Sequence, residues 1–128
     1  MPKRILIVED EVDFQELLKY HLASPECEVA VAATFAQAMM QAGKVRPDLI
    51  LMDIMLPDVD GLSLCEALKS EPALVDAPIW MISAAHSPTI REIARASGAT
   101  EFFSKPIDLK LLKARVEEWL HAPPDLAA

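Results

Sequence analysis

Apolar residues occur along the chain in two kinds of pattern, short unbroken runs and longer stretches with helical spacing. Ile5-Leu6-Ile7-Val8 is an apolar run that stops at Glu9-Asp10-Glu11. Leu49-Ile50-Leu51-Met52 runs into Asp53 without alternation, and Ile79-Trp80-Met81-Ile82 runs into Ser83. Such runs suit strands buried on both faces of a parallel sheet. Glu28-Val29-Ala30-Val31-Ala32-Ala33 mixes apolar and small residues and suits a strand near the sheet edge. Glu101-Phe102-Phe103-Ser104 is a short fifth strand.

Helical spacing fills the intervals. Val12, Phe14, Leu17, Leu18 and Leu22 predict a helix from about Val12 to Ala23, closed by Pro25. Phe35, Ala38, Met39 and Ala42 share a face of a second helix, with Thr34 as its cap and Gly43 as its end. Pro57 and Gly61 break the chain after Asp53. Leu62, Leu64, Cys65 and Leu68 mark a helix from about Gly61 to Lys69, and Pro72 and Pro78 bracket the connection that follows it. Ser87-Pro88 pairs a capping hydroxyl with proline at the first helical position, and Gly98 ends the helix it starts. Asp108 caps a last amphipathic helix through Leu109, Leu112, Val116, Trp119 and Leu120. Residues 1–121 read as one domain, and 122–128 as a tail or the start of a linker.

Strand and helix alternate five times, which implies an α/β fold with one parallel sheet and helices on both faces. A dinucleotide-binding topology needs a glycine-rich phosphate turn after the first strand. The chain has 3 Gly, none of them placed to form one. The remaining expectation is a flavodoxin-like, doubly wound five-stranded sheet in the order 2-1-3-4-5. Its switch point lies between strands 1 and 3, where Glu9, Asp10 and Asp53 end up.

The 128 residues can bury a real core, and 52% of them are hydrophobic. A net charge of -8 repels phosphate backbones and argues against direct nucleic-acid binding by this domain. No apolar run is long enough to span a bilayer. The basic start Lys3-Arg4 is followed by too short an apolar stretch for a signal peptide, so a cytoplasmic location is expected. Cys27 and Cys65 read as reduced thiols, small core or near-surface residues rather than a disulfide or metal site. Met39, Met40, Met52, Met55 and Met81 read as core filler, Trp80 as packed and Trp119 as partly exposed. His21, His86 and His121 lie on separate elements and receive no role.

The chemistry gathers at the carboxyl edge. Strand 1 ends in Glu9-Asp10, strand 3 in Asp53, strand 4 in Ser83, and Lys105-Pro106 follows strand 5. Three carboxylates together repel one another unless a positive group sits among them. A hard divalent cation such as Mg²⁺ suits oxygen ligands of this kind. Lys105 supplies a further point charge able to hold an anion. Acids, cation and amine together make a site for phosphoryl transfer onto a carboxylate.

Five fragments carry a family likeness: Ile5 through Glu11; Asp53-Ile54-Met55-Leu56-Pro57 with Asp60-Gly61; Ile82-Ser83-Ala84; Gly98-Ala99; and Phe102 three residues before Lys105-Pro106. In order and on these elements, they resemble the receiver domain of two-component response regulators, from Ile5 to about Leu120. The resemblance implies that Asp53 is the phosphoacceptor for a sensor histidine kinase or phosphotransfer protein. It implies that Asp10 ligates Mg²⁺ (or Mn²⁺) directly, with Glu9 acting through water and Met55 lending its backbone carbonyl. Ser83 and Lys105 would each hold a phosphoryl oxygen, Phe102 would turn inward as a switch, and the Lys105–Pro106 peptide would be cis. Such a module catalyses only its own phosphorylation and dephosphorylation. It then controls a downstream effector or output domain through helix 4, strand 5 and helix 5.

Departures from the family bear on assembly. Leu111 stands where the dimerising, DNA-binding subclass carries an acid, and Thr100-Glu101 where it shows two acids, although Arg115 fits its pattern. A homodimer across helices 4 and 5 is therefore in doubt. The chain reads either as a single-domain regulator or as a receiver cut from a longer protein at Pro123-Pro124. Two other functions compete. One is a receiver fold that docks without phosphorylation. The other is a phosphatase of the haloacid-dehalogenase type, which needs a second Asp where Met55 stands.

Overall fold

The computed structural model describes residues 2–56, 60–84 and 87–122. Its elements are β1 (Lys3–Val8), α1 (Val12–Leu22), β2 (Cys27–Ala32), α2 (Phe35–Val45), β3 (Leu49–Asp53), α3 (Gly61–Lys69), β4 (Ile79–Ser83), α4 (Pro88–Ala96), β5 (Glu101–Ser104) and α5 (Leu109–Leu120). One 3₁₀ turn, Pro72–Leu74, lies between α3 and β4. The strands form a single parallel sheet in the order β2-β1-β3-β4-β5, the flavodoxin-like topology that the alternation predicted. Among the expected features, Pro57, His86 and the Pro123-Pro124 linker lie outside the described residues.

The unbroken apolar strands feed two cores. Leu6, Val8, Ile50, Met52, Ile79 and Met81 face α2, α3 and α4, where they meet Ala38, Leu64, Leu68 and Ala94. Ile5, Ile7, Leu49, Leu51, Trp80 and Ile82 face α1 and α5, where they meet Leu18, Leu22, Leu112 and Val116. Both strand faces are covered, so neither phase of the strand period can be polar. Trp80 and Phe103 pack together in the second core at 5.7 Å between ring centres.

The helix starts follow the expected caps. Thr34 Oγ1, Ser87 Oγ and Asp108 Oδ1 accept from the backbone N–H groups of Gln37, Ile90 and Leu111. Asp60 Oδ1 accepts from Ser63 N and caps α3. Gly98 takes φ +117°, a left-handed value that glycine adopts freely, and ends the α4 segment.

Some expectations need correction. Gly43 does not end α2, which continues to Val45 and closes at Arg46 with φ 54°. Pro47 supplies the reason, since a residue before proline is driven out of the helical region. Strand β2 begins one residue earlier than its pattern predicted, at Cys27. Met40 and Met55 are exposed, whereas Met52 and Met81 are core. Val12 and Leu17 also face outward, because α1 turns only Leu18 and Leu22 fully inward. Cys27 and Cys65 are free and buried, and burial above all pushes both thiols up to about 11.

Candidate functional site

Register fixes the heights of the strand ends. Val8 lies opposite Met52, Asp53 opposite Ile82, and Ser83 opposite Ser104. The residue after each of β1 and β5, Glu9 and Lys105, therefore emerges beside Asp53 and Ser83 at one edge. Two further bonds extend the ladder past the strands. Glu9 N donates to Ala32 O at 2.9 Å, and Lys105 N donates to Ser83 O at 2.9 Å.

The Lys105 ammonium is the hub. Its Nζ donates to Asp53 Oδ2 at 2.7 Å and to Glu9 Oε1 at 2.9 Å, and lies 3.6 Å from Glu11 Oε1. Beneath it the Phe14 ring lies 4.7 Å away, a cation–π contact from the first turn of α1. Asp53 Oδ1 accepts from Met55 N at 2.9 Å, and Glu9 Oε2 accepts from Glu11 N at 3.1 Å. Both oxygens of each buried carboxylate are therefore engaged, which fixes the direction in which each group points.

Burial sets the electrostatics. Glu9 and Asp53 are buried, whereas Asp10 is exposed. Desolvation is the largest influence on Glu9 and raises its pKa above the ordinary carboxylate value, with the Asp53 charge adding to it. The Glu11 N–H and the Lys105 ammonium oppose that rise. Burial pulls Lys105 the other way, but its bonds to Asp53 and Glu9 outweigh that effect and raise its pKa. The ammonium is therefore charged throughout the physiological range.

Carboxylate oxygens of Glu9, Asp10 and Asp53 lie within 4.8 Å of one another. All three are hard oxygen donors, and one ammonium faces them. The donor set fits a small divalent cation that takes a few carboxylates and retains water.

The α3 start closes against the same strand end. Gly61 N donates to Ile54 O. A Cβ on Gly61 would lie 2.5 Å from the Asp53 carbonyl oxygen and 2.6 Å from Ile54 Cα, so only glycine permits this approach.

The predicted residues fall into two groups. Glu9, Asp10, Asp53 and Lys105 meet directly. Ser83 ends β4, fully buried and tied by its carbonyl to Lys105. Met55 touches the site through its N–H. The Lys105–Pro106 peptide is cis. Phe102 stands apart, half-buried on the α4 side of β5 with the Arg91 guanidinium 5.1 Å from its ring centre. Sequence reasoning missed Glu11, Phe14, Gln15 and Arg91. Gln15 Nε2 donates to Glu9 O at 3.0 Å. Helical spacing places Glu11, Phe14 and Gln15 on the α1 turn facing Lys105, a signal that was present, although Phe14 was read only as core and Glu11 only as part of the acidic run after strand 1.

Comparisons with known proteins identify the family and the fold. The family model for the response regulator receiver domain matches residues 5–117. Response regulator PleD of Caulobacter vibrioides is 37% identical over 116 residues, covering 91% of this chain and 26% of that protein. The alkaline phosphatase synthesis transcriptional regulatory protein PhoP of Bacillus subtilis is 32% identical over 117 residues, covering 91% of this chain and 48% of PhoP. The chain thus spans between about a quarter and a half of these relatives. The crystal structure of a CheY-like response regulator receiver domain protein from Methanospirillum hungatei JF-1 superposes with a TM-score of 0.85 at 28% identity. That match covers 94% of each chain.

Proposed function

Because the chain belongs to the response regulator receiver family, we propose that it accepts a phosphoryl group on Asp53 and passes that event to its α4–β5–α5 surface. The supporting observation is the Lys105 ammonium held between the Asp53 and Glu9 carboxylates, with Asp10 completing the acidic cluster.

An Asp53 carboxylate oxygen attacks phosphorus in line with the leaving group. The O–P bond forms as the P–N bond of a phosphohistidine breaks. The electron pair stays on the imidazole nitrogen, which the solvent reprotonates. The Met55 N–H and Lys105 Nζ orient the attacking carboxylate before reaction. A Mg²⁺ (or Mn²⁺) ion held by Glu9, Asp10, Asp53 and the Met55 carbonyl would supply charge neutralisation for the phosphoryl oxygens. Lys105 then ion-pairs with one of those oxygens, and the Ser83 hydroxyl donates to another. The phosphoryl group carries about 1.5 to 2 negative charges in place of the single carboxylate charge, a net gain of about one, and brings three acceptor oxygens. Drawing Ser83 and Lys105 toward them moves the ends of β4 and β5, and with them Phe102 and α4.

The donor is a sensor histidine kinase or phosphotransfer protein, and the receiver of the signal is an effector or output domain. With a net charge of -8, this domain leaves any DNA contact to such a partner. Among the described residues no helix is long and apolar enough to cross a membrane.

Incubation with Mg²⁺ and acetyl phosphate, followed by intact-mass measurement, tests the reading. A phosphoryl adduct is expected in the native chain and absent in Asp53→Asn. No adduct in the native chain, or one that persists in the variant, overturns it.

A further inference from the structure

Helix α4 is held to the sheet by little apolar contact. Ala94 is its only buried residue, while Ile93 is exposed and Ile90 half-buried. Arg91 ties it to β5 by polar contact. The guanidinium carbon lies 5.1 Å from the centre of the Phe102 ring, and Nη2 donates to Ser104 Oγ at 3.1 Å. Phe102 and Ser104 are two residues apart on one strand, so they present the same face to α4. Ser104 precedes Lys105, whose Nζ binds Asp53. A short line of contacts therefore joins the surface of α4 to the buried carboxylate.

We propose that Arg91 is a positioning residue that holds α4 and β5 in the unphosphorylated arrangement and so slows phosphoryl acceptance by Asp53. The inference rests on the function proposed above and adds a residue to it. Lys105 shifts from Glu9 toward the phosphoryl oxygens, and Ser104 follows as its neighbour. An inward turn of Phe102 takes its ring from under the guanidinium. Both Arg91 contacts favour the arrangement before phosphorylation, and only such a differential interaction can bias the equilibrium. A planar guanidinium can serve ring and hydroxyl together, whereas an ammonium is a single point charge.

The test is the rate of phosphorylation by acetyl phosphate at saturating Mg²⁺, read by intact mass, alongside the thermal midpoint. Arg91→Ala is expected to react about two- to fivefold faster, the factor a single exposed cation–π contact is worth. Arg91→Lys should fall between the two. A double-mutant cycle with Phe102→Ala should show a smaller acceleration than in the native background. A purely structural role would lower the midpoint without raising the rate. An equal or slower rate in Arg91→Ala, with an adduct still formed, overturns the coupling alone. Failure of the native chain to form any adduct overturns the proposed function and this inference with it.

Discussion

The two ends of the sheet both carry acids and cations, yet they use them in opposite ways. At the amino end a cavity of about 570 Å³ is lined by Lys3, Asp48, Trp80, Glu101, Arg115 and Trp119, among others. Its charges are satisfied cheaply. Arg115 pairs with Glu101 at side chains that are 42% and 36% exposed, and Lys3 sits 5.9 Å from the Trp119 ring centre. At the carboxyl end Glu9 and Asp53 are buried, and a single ammonium, 18% exposed, serves both. A cavity of that size alone does not mark a site. Charge that burial makes costly marks the carboxyl end as the candidate site.

The largest expected effect comes from breaking the hub. Lys105→Met leaves two buried carboxylates facing each other with no ammonium between them. In the absence of divalent ions it should cost about 3–5 kcal/mol in urea unfolding, the range for a buried ion pair that loses one partner. A loss below about 1 kcal/mol, typical of exposed pairs, would place the two ends of the sheet in one class.

Next in size is the effect of Mg²⁺ itself. A cation that binds only the folded chain should add about 2.7 kcal/mol at a concentration one hundred times its Kd. Asp10→Asn should abolish that gain with little change in the ion-free protein, because Asp10 is exposed while the two acids beside it are not. A full Mg²⁺ response in Asp10→Asn would remove Asp10 from the ligand set.

How much of this was legible in the sequence follows from what each pattern encodes. Unbroken runs such as Leu49 to Met52 identify strands covered on both faces, and β3, β4, β5 and α3 have the bounds those patterns suggested. The end of α2 was misplaced because Gly43 drew attention from Arg46-Pro47, where the steric rule actually acts. Site residues at strand ends were legible because a parallel sheet brings all carboxyl ends to one edge. Phe14 was placed by its spacing but read only as core, and Arg91 was not legible, because its contacts depend on how far a side chain on a packed helix reaches across to a neighbouring strand. The Met55 side chain was read as core, but the site engages its backbone, whose N–H binds Asp53, and its side chain faces outward.

A subtler difference between the ends lies in their response to pH. The pKa of Glu9 is raised in the fold above its ordinary value of 4.5. A raised value favours the protonated form in the folded state. The stability it contributes is complete below the unfolded pKa and is lost as pH rises through the folded one. Glu9→Gln stays neutral over that window. Without divalent ions, its stability relative to the native chain should therefore improve between pH 4 and pH 7. A constant difference across that interval would mean that burial does not burden Glu9. The same variant should lose Mg²⁺ affinity, the outcome expected if Glu9 serves binding at some cost to folding.

The smallest effect is expected at the amino end. Arg115→Ala removes the partner of Glu101, but both side chains reach water, so neither is stranded when the other leaves. The loss should be about 0.2–1 kcal/mol. Salt offers the sharper contrast. At 1 M the screening length falls to about 3 Å, so the difference between Arg115→Ala and the native chain should shrink toward zero. The penalty for Lys105→Met should persist, because water and ions do not enter between groups as buried as Glu9 and Asp53. Unfolding both variants at low and high salt checks this. A salt-insensitive loss of several kcal/mol in Arg115→Ala would show that the amino-end cavity also holds charge against its desolvation cost. The amino end would then have to be reconsidered as a second site.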